Sequence, residues 1–216
     1  KSFEVILVDQ NLDDQIRLEC ESWNETFSIN YIHSSKPGLS LNRNIGLSYA
    51  KGKIVAFPDD DCKYHPDTLM RVKKSFEANI DVHMIFGQMI DSSNNLKWNY
   101  FPENNMYVKK EKLFKLGCSA SLFINKGKID DKMLVFDEKF GIGAEFGGAE
   151  ETELVFRLLR RNYKGYYDTS VVVYHSYQEI GKTSLEKAFQ YGKGIGAFFR
   201  KNRNYLSNFM CFIEML

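Results

Sequence analysis

Gly52-Lys53-Ile54-Val55-Ala56-Phe57-Pro58-Asp59-Asp60-Asp61 is the stretch on which the fold turns. Ile54 to Phe57 form a β-branched and aromatic run that reads as a buried strand, and Pro58 breaks it off. In open α/β sheets ligands sit outside the carboxyl ends of the strands, so the three carboxylates stand where chemistry is usually done. Side chains alternate along an extended segment, which points Asp59 and Asp61 one way and Asp60 the other. Hard carboxylate oxygens at that spacing suit Mg²⁺ or Mn²⁺, with water and substrate phosphates filling the other positions. A solvated acidic turn is the plain alternative. A calcium loop of the EF-hand kind is disfavoured, because its sixth position from Asp59 demands glycine and here is Tyr64.

Working outward, apolar runs at about 3–8, 27–33, 53–57, 82–90, 119–124 and 166–174 predict strands. Helical patterns lie between several of them, from about Asp13 to Trp23, Leu41 to Ala50, Pro66 to Ala78, Ala149 to Asn162 and Ser184 to Arg203. Early alternation of strand and helix predicts an α/β fold with right-handed parallel connections. Residues 91–110 lose periodicity and mix polar residues with Trp98, Tyr100, Phe101 and Tyr107, a long connection of a functional kind.

A second constellation follows at Gly147-Gly148-Ala149-Glu150-Glu151, a glycine-rich turn running into an amphipathic helix. Acidic groups in a first helical turn are stabilised by exposed N–H groups and the helix dipole, so a plain N-terminal preference accounts for them equally well. Gly141, Gly143, Gly147 and Gly148 suggest a flexible, substrate-gated loop ahead of that helix. Val171 to Tyr174 form a strand ending in His175, which can reach the same rim as the acidic triplet and offer a ring nitrogen to a metal.

At 216 residues, 44% hydrophobic and 26% charged, one globular domain is expected over 1–216. A net charge of +1 gives no reason to expect a nucleic-acid partner. Cys20, Cys62, Cys118 and Cys211 are scattered without a C-x-x-C pair, which disfavours zinc and a disulfide framework and fits a reducing, cytoplasmic setting. No run reaches the roughly 20 apolar residues of a membrane span. The basic helix from Lys182 to Arg203 and the apolar stretch from Tyr205 to Leu216 read as a solvated face and a buried end, or as a peripheral contact with the cytoplasmic face of a membrane. Both ends look cut, so a fragment of a longer protein is expected.

Val8-Asp9, then Gly38-Leu39-Ser40-Leu41-Asn42-Arg43-Asn44-Ile45-Gly46, the Gly52 to Asp61 stretch, and Gly147 to Glu151 occur in the order seen in family 2 glycosyltransferases, which the chain resembles from residue 3 to about 176. The resemblance implies a GT-A fold, a Rossmann-like, mixed and mainly parallel sheet flanked by helices. It also implies an inverting transfer from a nucleoside-diphosphate sugar, with a UDP-sugar as the expected donor. Residues 1–90 would then form the nucleotide-sugar and metal half, 91–180 the acceptor and base half, and 181–216 a C-terminal helical segment. Carried over, Asp9 matches the acid that pairs with the base, Arg43 and Asn44 line the nucleotide pocket, and Asp59 with Asp60 belongs to the donor site. Asp59, Asp61 and His175 would hold Mn²⁺ or Mg²⁺. Glu150 and Glu151 match the paired acids near a glycan or lipid-linked acceptor. The second is usually aspartate and the base, so both stay candidates here.

Two departures stand beside the resemblance. The family places another strand and helix before the strand at Phe3, and Gln10-Asn11-Leu12 replaces a second acid and small-residue turn. A truncated, non-catalytic nucleotide-sugar-binding module is therefore a rival reading. A sugar nucleotidyltransferase is a further one, weakened by the lack of a glycine-rich basic turn after the first strand.

Overall fold

The computed structural model describes residues 3–23, 26–98, 101–116, 119–175 and 185–205. Lys182, Cys118, Cys211 and the apolar stretch beyond Tyr205 lie outside them. Among the described residues eight strands run in order: β1 Val5–Asp9, β2 Ile29–His33, β3 Ile54–Ala56, β4 Cys62–Tyr64, β5 Met84–Asp91, β6 Met106–Tyr107, β7 Leu122–Asn125 and β8 Gly165–His175. Five α-helices accompany them: α1 Gln15–Trp23, α2 Leu39–Tyr49, α3 Thr68–Ala78, α4 Glu150–Arg160 and α5 Leu185–Lys201.

The mixed α/β architecture expected from the sequence is the one formed. The two longest ladders are parallel, β1 with β2 and β5 with β8. Shorter antiparallel ladders join β7 to β3 and β5, and β8 to β4 and β6. The larger sheet has the order β3-β7-β5-β8-β4, while β1 and β2 form a pair apart from it. Residues of β1 and of β3 both line a cleft of about 2050 Å³.

Alternation along β5 explains why that strand is central. Met84, Phe86 and Met89 enter the larger core with Leu154, Phe156, Tyr167 and Phe198, while Ile85 joins Val72, Phe76, Phe123 and Val171 under α3 on the other face. Burying each such side chain contributes about 1.5–3 kcal/mol, so the sheet is held from both sides. The β5–β8 register shifts between Phe86 and Gln88, where Gly87 lies so close to Val171 that a Cβ would stand 2.7 Å from its carbonyl oxygen.

Several elements differ from the sequence reading, among them β6, which falls in the stretch 91–110 where no strand was expected, and α2, which starts at Leu39 rather than Leu41. β4 was not expected, because it follows the acidic triplet after a single turn and owes its existence to pairing with the distant β8. The strand expected at 119–124 starts at Leu122, since Ser119–Ser121 form a 3₁₀ turn. α3 begins at Thr68 rather than Pro66, with Thr68 N–H donating to His65 O at 2.8 Å and its hydroxyl donating to Val172 O at 2.6 Å.

Candidate active site

α2 supplies one wall of the cleft. Leu39, Asn42, Arg43, Gly46 and Leu47 recur at helical spacing and face it. The N-terminal end of α2 is tied to the loop before α4, with Leu39 N–H donating to Ile142 O at 3.0 Å and Ser40 Oγ donating to Phe140 O at 2.6 Å.

Arg43 is the hub. Its side chain is 10% exposed and donates to Glu150 at 3.0 Å, to Ser119 Oγ at 3.0 Å and to Asp59 at 3.4 Å. The guanidinium lies 5.5 Å from the Phe136 ring centre and 5.9 Å from that of Phe57. Those two rings meet edge to face at 5.1 Å. A planar cation between aromatic faces and two carboxylates is a site for arginine that lysine would not reproduce. Asn44 fixes this packing. Its Nδ2 donates to Phe136 O at 3.0 Å and its Oδ1 accepts from Phe136 N–H at 2.8 Å. Expected in the nucleotide pocket, Asn44 turns instead to the Phe136 backbone.

The acidic triplet is a turn, not an extended segment. Cys62 N–H donates to Asp59 O at 3.2 Å, which reverses the chain between β3 and β4. The alternation read from the sequence therefore does not apply, yet Asp59, Asp60 and Asp61 all line the cleft. Asp59 reaches Arg43 and Ser119, and burial pushes its carboxyl above the usual range despite Arg43. Asp60 is exposed. Asp61 meets His175 Nε2 at 2.9 Å. The β4–β8 register sets Cys62 opposite His175 and so brings that pair together, as the shared rim required. Trp98 stands edge-on to the His175 ring at 5.4 Å.

Across the cleft, Ala149 takes a left-handed conformation, φ 64 and ψ 20, immediately before α4. Such a conformation in a non-glycine residue costs about 1–2 kcal/mol and is kept only where its surroundings impose it. Here α5 does so. A Cβ on Gly194 would lie 2.5 Å from Gly148 O, and one on Gly147 would lie 2.7 Å from Gln190 Cβ. Gly147 and Gly148 thus permit close packing of α5, a different use from the gated loop expected of them. α4 is anchored further by buried Glu153, which accepts from Lys201 at 2.6 Å and pairs with Arg157 at 3.2 Å.

Glu150 and Glu151 begin α4, and their environments part them. Glu150 is buried and committed to Arg43. At Glu151 burial first, and then the negative charge of Glu150, outweigh the influence of Arg43 and push its carboxyl well above the ordinary glutamate range. Two adjacent carboxyl groups held in different environments are a common arrangement for acid–base work.

Asp9 lies at the end of β1, buried, just past the cleft wall that Val8 lines. It accepts from Tyr31 Oη at 2.9 Å and from Asn11 N–H and Nδ2 at 3.0 and 2.8 Å. The sequence reading missed Ser119, Asn42 and, on α5, Tyr191, all of which line the cleft. Only Asn42 carried a signal, its place one turn after Leu39 on the α2 face.

Asp61 and His175 pair a hard carboxylate oxygen with an imidazole nitrogen, a donor set that fits Mn²⁺. Among the described residues no group of three His, Cys, Asp or Glu side chains gathers to hold a metal.

The model of glycosyl transferase family 2 matches residues 1–135. The chain is 24% identical over 196 residues to the minor teichoic acid biosynthesis protein GgaB of Bacillus subtilis (strain 168), covering 87% of the chain and 21% of GgaB. It is 30% identical over 79 residues to an uncharacterized glycosyltransferase of Rickettsia felis, covering 37% of the chain and 13% of that protein. The chain thus spans about a fifth or less of these relatives. Among solved structures it is similar to S. aureus TarS 1-349 in complex with UDP-GlcNAc, at TM-score 0.62 and 17% identity, over 90% of this chain and 58% of that one. It is also similar to the mannosyltransferase PcManGT from Pyrobaculum calidifontis in complex with GDP-Man and Mn²⁺, at TM-score 0.67 and 17% identity, over 94% and 55% of the two chains. At such identities the likeness shows a shared fold.

Proposed function

Given that the chain belongs to glycosyl transferase family 2, we propose that its cleft transfers a sugar, with inversion, from a nucleoside-diphosphate sugar to a hydroxyl of a glycan or lipid-linked acceptor. The observation that carries this reading is the division of labour between Glu150, paired with Arg43, and Glu151 beside it, whose carboxyl burial pushes well above the ordinary glutamate range. In one displacement the acceptor oxygen bonds to the anomeric carbon from the face opposite the phosphate. The bond from that carbon to the phosphate oxygen breaks, and Glu151 receives the acceptor's hydroxyl proton. Glu150 holds Arg43 in place, and Arg43 places positive charge beside Asp59 at the donor end of the cleft. Mn²⁺ or Mg²⁺ on Asp61, His175 and Asp59 would supply the charge that stabilises the departing diphosphate.

A uracil nucleotide is the donor favoured by Asp9, and the UDP-GlcNAc and GDP-Man in the similar structures support nucleotide-sugar binding in general. The name of GgaB supports an acceptor in cell-envelope polymer synthesis. No helix among the described residues is long and apolar enough to cross a membrane. Peripheral contact at the cytoplasmic face belongs to the proposal, because Leu185 and Phe189 stand exposed on α5 beside Lys193 and Arg200. Cosedimentation with anionic vesicles, reduced by Phe189→Ser, checks that contact.

Mass-detected release of nucleoside diphosphate from UDP-, GDP- and dTDP-sugars, with Mn²⁺ against EDTA, tests the reading. Metal-dependent release with one donor is expected. Nucleotide binding without turnover of any donor, across a panel of glycan acceptors, would leave a binding module instead.

A further inference from the structure

β3 and β7 pair antiparallel, with Ala56 opposite Phe123 at the last rung. Carried past that rung, the register brings Asp59, which follows β3, beside the 3₁₀ turn Ser119–Ser121 that leads into β7. Ala120 and Ser121 are buried and anchor the turn, and Ser119 is buried at the cleft wall. A pairing between strands distant in sequence thus delivers one hydroxyl to the acidic triplet.

The direction of that hydroxyl follows from its partners. Arg43 Nη2 donates to Ser119 Oγ at 3.0 Å, and a guanidinium accepts nothing, so the hydroxyl's own proton is free for Asp59 Oδ1 at 3.3 Å. Arg43 Nη2 also reaches Asp59 Oδ1 directly, at the longer 3.4 Å. An arginine beside a carboxylate frequently closes on it through two parallel hydrogen bonds, which occupies both oxygens. Here Nη1 is given to Glu150 and Nη2 is shared with Ser119, so Arg43 keeps a single long contact with Asp59. Both contacts fall on Oδ1. The Asp59 side chain is 34% exposed and lines the cleft, so Oδ2, which takes no hydrogen bond from the described residues, is the oxygen left for a ligand there.

We propose that Ser119 is a positioning residue for the metal ion of the donor site: its hydroxyl holds Asp59 Oδ1 and occupies Arg43, which leaves Asp59 Oδ2 as the oxygen that binds the ion. The inference rests on the metal-dependent glycosyltransferase reading and adds to it a residue that acts only through Asp59. Outer partners of a ligating carboxylate fix its orientation, and their loss typically costs about 10–100-fold in metal affinity.

The test is electron paramagnetic resonance titration of Mn²⁺, with and without UDP, on wild type, Ser119→Ala, Asp59→Asn and the double variant, with a melting curve of each. Ser119→Ala is expected to weaken Mn²⁺ about tenfold. Added to Asp59→Asn, where the carboxylate it serves is already gone, it is expected to weaken the remaining binding by Asp61 and His175 no further. A merely structural loss would instead lower the melting temperature and weaken Mn²⁺ equally in both backgrounds. Ser119→Thr, which keeps the hydroxyl, is expected to titrate close to wild type. A Mn²⁺ titration unchanged by Ser119→Ala or by Asp59→Asn, or a loss from Ser119→Ala as large in the Asp59→Asn background, overturns the inference and spares the glycosyltransferase reading. Wild-type chain that binds no Mn²⁺ even with UDP overturns the inference together with the metal dependence in that reading.

Discussion

Replacing Arg43 with methionine removes the charge that neutralises two carboxylates while keeping a long apolar side chain between Phe57 and Phe136. Glu150 is left stranded: its side chain is 9% exposed, and its ion pair with Arg43 is the shorter of the two. Breaking a buried pair from one side costs about 3–5 kcal/mol, because the remaining charge has neither water nor partner. Asp59 is 34% exposed and retains Ser119 Oγ at 3.3 Å, so its share is under about 1 kcal/mol. Methionine fills most of the volume, which keeps any cavity contribution small. A total of about 4 kcal/mol would lower the melting temperature by roughly 8–16 °C for a domain of this size. Urea unfolding at neutral pH measures it. Lowering the pH should shrink the deficit, since protonating the stranded Glu150 removes the buried charge. The double variant Arg43→Met with Glu150→Gln should regain most of the loss for the same reason. A single variant within about 1 kcal/mol of wild type, or a double variant no better than the single, would refute the claim that Arg43 and Glu150 form a buried, mutually dependent pair.

Four further outcomes follow from the site and from α5. Glu151 is raised in the folded state, so it holds a proton preferentially there; the stability this contributes is present below the ordinary glutamate range and lost as pH rises through the raised value. Over that same window transfer should increase with pH, and unfolding measured against pH should lose this dependence in Glu151→Gln. His175→Ala should weaken Mn²⁺ binding, read by electron paramagnetic resonance titration, by about tenfold or more, and an unchanged titration would remove His175 from the metal site. Gly194→Ala should cost about 1–3 kcal/mol and disturb the turn carrying Glu151, since its Cβ would meet Gly148 backbone atoms at 2.5 to 3.0 Å. At Gly192 and Gly196 a Cβ meets nothing within 4 Å, so alanine there should stabilise α5 by about 0.5–1 kcal/mol.

The elements written in local pattern were legible in the sequence. The strand at β8 and the helices α2 and α4 carry their own periodicity, and the residues they present, Arg43, Glu150, Glu151 and His175, converge on one cleft. What depended on distant pairing was not legible. β4 exists because β8 offers an edge, and that pairing turns the acidic triplet into a reversal and delivers Asp61 to His175. Asn44 shows the same limit at a single residue. Its neighbour Arg43 fixed it in the nucleotide pocket by motif, whereas the partner that claims its amide, Phe136, lies far along the chain. The glycines before α4 were read for freedom, and the helix that makes them contacts comes after them in sequence.

The most direct test of the account is rapid-quench turnover of a saturating nucleotide sugar by Glu151→Gln beside wild type, with nucleotide affinity measured on the same samples. The expected result is unchanged affinity and a transfer rate lower by about 10²–10⁴, the contribution of a positioned base. Transfer at the wild-type rate with Glu151→Gln would contradict it and pass the role of base to another group.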